Sequence, residues 1–325
     1  MRFTVLGLGA TGSRVVQQLL ALPARAVAGS VCVDDIDQRR VEQVLAAHPG
    51  AVAGAHSDSS EVVILAMPGG LHVDAARRAL VRGAHVVSVS DHPDDVVGLL
   101  ELDELARDAG RALVVGAGFA PGLTCLLARH AGNALDLVEE LSIAKAGTGG
   151  PACARQHHRA LKHLGAEWQG GSWLLRRGGS GRELTWFPDP LGARDCYKGW
   201  LSDPELLLRV YPEALRITAR MSATRRDRLT SRLPMLRRPH PDGGPGGVRV
   251  EVRGRRGRSI ETIVYGVMLG PSFAAACVAA EAATYIARAD PAPGAWGLGE
   301  LAEPLELLHR LRDRGVVAST YESSR

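Results

Sequence analysis

The chain has 325 residues, 46% hydrophobic and 23% charged, a balance that excludes a disordered, collagen-like or disulfide-stapled protein; at about 150 residues per domain it allows two domains. Aromatic residues are only 4%, so the core is built from Ala, Val and Leu, and rings for stacking bases are scarce. The net charge of +4 is uneven: Arg216 to Arg258 holds 13 arginines against three acids, +10, while the other 26 bases face 32 acids, −6.

In chain order, short apolar runs alternate with amphipathic segments. Phe3–Leu6, Ser30–Asp34, Val62–Ala66, His85–Ser90 and Ala112–Val115 read as strands. Ser13–Leu22, Asp37–Ala47, Leu71–Arg82 and Asp94–Ala109 read as helices between them. Nearly all-apolar strands alternating with helices predict a parallel sheet covered on both faces. Past Phe119 the pattern changes. Pro121 is placed to open a helix. Then come a strand, Leu137–Ala146, a helix, Ala152–Leu164, a Gly-rich turn region, 170–181, a short strand, Thr185–Phe187, and a largely helical stretch, Asp203–Met221. The Pro- and Gly-dense part of the arginine-rich stretch reads as an exposed loop. Val248–Val252 and Ile260–Met268 read as a strand pair around the turn Gly254–Gly257, and Pro271–Arg288 and Leu298–Arg314 as closing helices. The fold class is therefore α/β: a Rossmann doubly wound parallel sheet over 1–120, an inserted α+β domain for substrate and dimerisation over 121–270, and C-terminal helices, 271–325, packing back on the first unit.

The strongest motif is Gly7-Leu8-Gly9-Ala10-Thr11-Gly12. It follows a strand, opens a helix and precedes Asp34-Asp35 at the dinucleotide-fingerprint spacing. Gly7 permits the tight turn, Gly9 admits a pyrophosphate and Gly12 lets helix and sheet close up. The amides of Ala10 and Thr11 lead into a helix N-terminus, which favours phosphate. Asp35 is the preferred ribose ligand and favours NAD over NADP, although Arg39 and Arg40 offer a clamp for a 2′-phosphate. The ligand cleft lies beyond the carboxyl ends of the strands, at Ala66-Met67-Pro68, Ser90-Asp91-His92 and Gly116–Phe119.

These pieces resemble the saccharopine dehydrogenase-like family, which includes lysine 6-dehydrogenases and carboxynorspermidine-type dehydrogenases. The resemblance rests on Gly7–Gly12, Val33-Asp34-Asp35-Ile36-Asp37, Val86–Asp91, the turn Gly118-Phe119-Ala120-Pro121-Gly122-Leu123 and the ending Leu311-Arg312-Asp313-Arg314-Gly315. It covers about the first 130 and the last 30 residues. It implies a Rossmann domain, an inserted sheet domain that dimerises, and NAD(P)-linked redox chemistry at a C–N bond. The middle of the chain departs from the saccharopine-forming enzymes, so substrate identity does not carry over.

Hydride transfer at a C–N bond needs an anchor for the substrate carboxylate and a proton donor or acceptor near nitrogen. The turn before Leu123 is one anchor candidate. The helix after Gly150 offers Arg155 and Arg159 as bidentate carboxylate ligands and His157 and His158 as acid/base groups; the plainer reading is a solvated basic face with one core histidine. Lys145, at a strand end, is a third proton carrier. Asp91-His92 is a further cleft candidate. Tyr197-Lys198 lacks the short-chain dehydrogenase spacing, and Cys196 has no visible activating partner.

The reading is an NAD(P)-dependent oxidoreductase acting on a small amino-acid-like or imine substrate. A non-catalytic dinucleotide sensor and an NAD-recycling transferase of homospermidine-synthase type are the alternatives. Five scattered cysteines without ligand spacing predict reduced thiols, a cytoplasmic protein and no metal site. The apolar stretch 272–289 contains Glu281 and Arg288, so a packing helix is expected rather than a membrane span. The +10 stretch has no aromatic residue and no DNA-binding motif. It is read as a surface loop and hairpin, at a lid or homodimer rim near an anionic ligand, and not as a nucleic-acid site.

Overall fold

The computed structural model describes residues 1–21, 31–54, 61–235, 238–301 and 303–321. Leu22 and Ser30, the outer ends of a predicted helix and strand, lie outside them, as does Arg237 of the basic stretch.

Phe3, Val5, Val31, Val33, Ile64 and Leu65 are fully buried, because their strands are covered on both faces. Each such side chain contributes roughly 1.5–3 kcal/mol on leaving water. The first unit runs β1 (Phe3–Leu6), α1 (Gly12–Leu20), β2 (Val31–Asp34), α2 (Gln38–Ala47), β3 (Ala51–Ala53), β4 (Val62–Leu65), α3 (His72–Val81), β5 (His85–Ser88), α4 (Pro93–Leu100), α5 (Asp103–Asp108) and β6 (Ala112–Val115). The predicted helix over 94–109 is thus two. Asp103 turns away from α4 to accept the Ala295 amide at 2.7 Å and the Arg107 guanidinium at 2.7 Å.

The middle of the chain gives α6 (Leu123–Gly132), β7 (Leu137–Ala146), α7 (Pro151–Ala160), β8 (Leu164–Gln169), β9 (Ser172–Arg177), β10 (Glu183–Trp186), β11 (Ala193–Lys198), α8 (Asp203–Val210), β12 (Arg216–Ser222), α9 (Arg225–Thr230), β13 (Gly247–Arg256) and β14 (Ser259–Met268). The end gives α10 (Pro271–Ala289), β15 (Gly294–Gly297), α11 (Leu298–Leu301), α12 (Pro304–Asp313) and β16 (Ser319–Thr320). Pro304 separates the last two helices because it cannot continue the one before it.

The seven-stranded sheet has the order β15-β6-β5-β4-β1-β2-β3, all parallel. The chain leaves the sheet centre in opposite directions on either side of β1, and the crevice at that switch point is where such sheets bind ligands. This is the doubly wound Rossmann sheet, extended by a strand from the C-terminal segment. The alanine-rich α10 packs beside α1 over β4 and β5. Among the described residues, no helix is long and apolar enough to cross a membrane.

The second sheet is ordered β10-β11-β12-β7-β13-β14-β16, with β8 joined to β12 and β9 to β8. Three expectations change here. The predicted helix over 203–221 stops at Val210, and 216–222 is strand β12, parallel to β7. Its Arg220 is buried but paired with Glu183 at 2.7 Å, so a charge that reads as a helix face lies inside a sheet. The predicted helix over 152–164 ends at Ala160, and Leu164 begins β8. The Gly-rich 170–181 region contains β9, an edge strand with both faces solvated and hence no apolar alternation.

Candidate active site

β1 ends in a turn that only glycine fits. Gly7 has φ +91°, its amide donates to the Asp34 carbonyl at 2.8 Å, and a Cβ there would lie 2.8 Å from the Ala66 carbonyl oxygen. A Cβ on Gly12 would meet the Gly7 oxygen at 1.8 Å, so α1 starts as close to the loop as the backbone allows. Gly9 differs: a Cβ would meet nothing within 4 Å, because this residue faces open space. That space is a cavity of about 570 Å³, with Gly9, Ala10 and Thr11 on its floor. First-turn amides of a helix have no partner within the helix, so the start of α1 brings donors and a positive dipole end to the same place.

Asp35 lies just past β2 and is 8% exposed. Its carboxylate accepts the Leu8 amide at 2.6 Å and the Asp37 amide at 2.9 Å, and Arg40 approaches at 3.5 Å. It therefore shapes the glycine loop as well as lining the cavity. Ala66, Met67, Pro68 and Ser90 line the opposite wall, from the ends of β4 and β5. Those ends are tied by a residue the sequence did not single out. His72 sets Nε2 against the Met67 carbonyl and Nδ1 against Ser88 Oγ, both at 2.9 Å. A carbonyl only accepts, so Nε2 carries the proton and Nδ1 accepts from the hydroxyl. Ser90 in turn donates to Asp95 at 2.7 Å.

Lys145 reaches the cavity from the last turn-ward residues of β7. It is 7% exposed, and Nζ donates to Asp91 Oδ2 and to the Ala120 carbonyl, both at 3.2 Å. Burial opposes its charge, but Asp91 and Asp203 outweigh burial and raise its pKa. The group is thus a held ammonium, a proton donor rather than a free base. Asp203 is itself buried, which pushes its pKa up; it accepts from Thr124 Oγ1 at 2.6 Å. Burial also lifts the thiols of Cys153 and Cys196 to about 11, so neither is an activated nucleophile.

α7 starts at Pro151, and its first half borders the cavity through Cys153, Arg155 and Gln156. Arg155 is exposed on the rim. Gln156 is 6% exposed; Arg159 holds its Oε1 at 3.4 Å, and its Nε2 is buried without a partner. A buried donor without a partner is uncommon and marks this stretch of the cavity wall. An ordinary glutamine among four basic neighbours carried no sequence signal. Arg159 itself is exposed and not on the lining.

The two histidines are placed differently from the expected acid/base role. His158 Nε2 lies 3.0 Å from the Thr230 carbonyl and 3.1 Å from that of Leu233, where it fastens the segment after α9. His157 Nε2 is 2.8 Å from the Ser222 carbonyl, behind the lining. Burial, and then the Lys145 charge, push the His157 pKa down to about 4, so it does not titrate near neutrality. The turn before Leu123 also differs. α6 begins at Leu123 and not at Pro121, the Leu123 amide is taken by the Gly118 carbonyl at 3.0 Å, and Leu123 and Thr124 are fully buried. What the turn offers the cavity is the Ala120 carbonyl that holds Lys145. The basic loop reaches the rim, where Asp242 meets Arg14 of α1 at 3.5 Å.

Two histidines with lowered pKa values, the buried His72 and the half-buried His157, make the fold acid-sensitive. Burial lowers the pKa of His72 as well as of His157. The unfolded chain binds their protons near pH 6.5 and the folded chain does not, so stability is full above that pH and falls below it. For His157 the loss is on the order of 3 kcal/mol by pH 4. Thermal melts from pH 7 to pH 4 should show His157→Gln losing less stability than the parent; parallel curves would refute the assignment.

No family model matches the chain, and no curated protein matches it. Solved structures do. Saccharopine dehydrogenase (L-Glu forming) from Saccharomyces cerevisiae, in its apo form, is 15% identical over 99% of this chain and 100% of its own, with a TM-score of 0.66. An amine dehydrogenase from Mycobacterium smegmatis is 12% identical over 93% and 96%, TM-score 0.54. DAP dehydrogenase from C. glutamicum, in complex with DAP, is 17% identical over 97% and 99%, TM-score 0.50. The chain has the fold of these dehydrogenases along nearly its whole length.

Proposed function

We propose that the protein is an NAD(P)-dependent oxidoreductase that moves a hydride at a C–N bond of a small amino-acid-like or imine substrate. The observation that carries this reading is the Lys145 ammonium, pinned by Asp91 and the Ala120 carbonyl in the same cavity as the glycine loop. The loop fits a dinucleotide: glycine is forced at two positions for packing and left open to the cavity at Gly9. The nicotinamide supplies or accepts the hydride when bound. Asp35 takes the ribose hydroxyls, and its carboxylate favours NAD over NADP by repelling a 2′-phosphate. Arg155 binds the substrate carboxylate, with the Gln156 amide beside it. Lys145 donates a proton to the substrate nitrogen in the reductive direction. The likeness to dehydrogenases named for saccharopine, amine and DAP supports a nitrogen-bearing substrate. A homodimeric cytoplasmic enzyme belongs to the same proposal, through the family resemblance and the reduced thiols.

The test has two stages. Titration with NADH and NADPH should change nicotinamide fluorescence, with tighter binding of NADH. A panel of amines, amino acids and keto acid–amine pairs should then give turnover in nicotinamide absorbance. No response to either nucleotide would refute the cofactor assignment. Binding without turnover across the panel would favour a sensor, and product without net absorbance change an internal redox cycle.

A further inference from the structure

The arginine-rich stretch separates into two kinds of arginine. Arg216, Arg220, Arg249, Arg253, Arg255 and Arg256 each lie within 4.0 Å of a glutamate on the second sheet. Arg225 and Arg232 have no ion pair among the described residues; nor have Lys162 and Arg177, which face them from outside the stretch. These four, with Arg228, line one cavity of about 440 Å³ that contains no acidic residue. It shares no lining residue with the cofactor cavity. Its volume is in the range of small-ligand sites, about 300–1,000 Å³.

The walls are fixed. Arg228 is stacked 4.1 Å from the Tyr197 ring centroid, and its Nε donates to the Gly179 carbonyl at 2.9 Å. The Gly178-Gly179 turn is held by hydrogen bonds from its two amides, Gly178 to the His163 carbonyl at 3.0 Å and Gly179 to the Lys198 carbonyl at 2.8 Å. Thr224 and Asp227 cap α9 reciprocally, which sets where Arg225, Arg228 and Arg232 emerge. Five cations around one concavity repel one another, and the fold places no carboxylate among them. A multiply charged anion relieves that repulsion, and guanidinium forks match phosphate oxygens in pairs.

We infer that this cavity is a second ligand site, for a small multiply charged phosphate anion, formed by Lys162, Arg177, Arg225, Arg228 and Arg232. Calorimetric titration of the full chain with inorganic tripolyphosphate at low salt should show one saturable site, weakening as salt is added. Arg225 and Arg232 are exposed and hold nothing else in place, so R225Q/R232Q should fold, as checked by circular dichroism. It should bind tripolyphosphate about tenfold more weakly, since exposed charge contacts are each worth up to about fivefold. NADH binding should be unchanged, and R312Q, which removes an exposed arginine on α12, should leave both affinities as they were. The inference is overturned if no saturable binding occurs, if R225Q/R232Q binds as the parent does, or if R312Q weakens binding equally. Competition between NADH and tripolyphosphate would place the anion on the glycine loop instead. Much tighter binding of a single-stranded oligonucleotide would replace the small anion by nucleic acid.

Discussion

Lys145→Met is expected to lower turnover by about 10²–10⁴-fold, the usual contribution of a positioned acid or base, with nicotinamide binding little changed. Methionine keeps much of the stem and removes only the ammonium. The effect is confined to the proton step because Lys145 does not hold the glycine loop: its partners are Asp91 and the Ala120 carbonyl. Burial already raises the Asp203 pKa, which lessens the cost of removing the neighbouring cation. The pH profile separates this role from a purely structural one. With its pKa raised, Lys145 stays protonated through neutrality; the reductive rate should be flat there and fall as pH rises through that pKa. Asp91→Asn removes one of the charges that raises it and should move the alkaline limb to lower pH. A Lys145→Met enzyme with the parent's rate, or an Asp91→Asn enzyme with an unmoved limb, would assign the proton to another group.

The sequence is most legible where burial is complete. β1 and β6 occupy the predicted ranges because a strand hidden on both faces must be apolar throughout, and turn residues bound it; β7 also does, although it carries Glu139, Glu140 and Lys145. It is least legible where charge and burial coincide. Arg220 and Glu167 are buried inside a sheet, and nothing local announces that each will find an opposite charge from another strand. The same physics governs the site. The glycine loop is a local motif, so its residues can be named from spacing alone. The Lys145–Asp91 pair joins residues 54 apart in sequence, and Thr124–Asp203 joins residues 79 apart. Helical spacing correctly sets Arg155 and Arg159 on an exposed face, yet only Arg155 reaches the cavity, because α7 meets it at one end. His157 and His158 show the complementary limit: residue type suggests proton carriers, yet the Nε2 of each is taken by backbone carbonyl oxygen and neither side chain is on the cavity lining.

Gly9→Asp is expected to abolish dinucleotide binding while leaving the fold intact, and the two halves of that statement have separate causes. The fold survives because a Cβ at Gly9 meets no atom within 4 Å, and Gly9 is not among the positive-φ glycines. Binding fails because the new carboxylate enters the cavity at the start of α1, where the phosphates would sit. Two unit charges 4 Å apart interact by about 4 kcal/mol at an effective dielectric of 20, roughly a thousandfold in affinity. Gly9→Ala adds the bulk without the charge and should fall between parent and Gly9→Asp. Gly12→Ala is the contrasting case: its Cβ would lie 1.8 Å from the Gly7 oxygen, so it should lower the melting temperature as well as binding. Fluorescence titration beside thermal melts reads both quantities. Retained NADH affinity in Gly9→Asp would mean the loop holds the strand and helix together without holding a cofactor, and the proposed chemistry would lose its cofactor site.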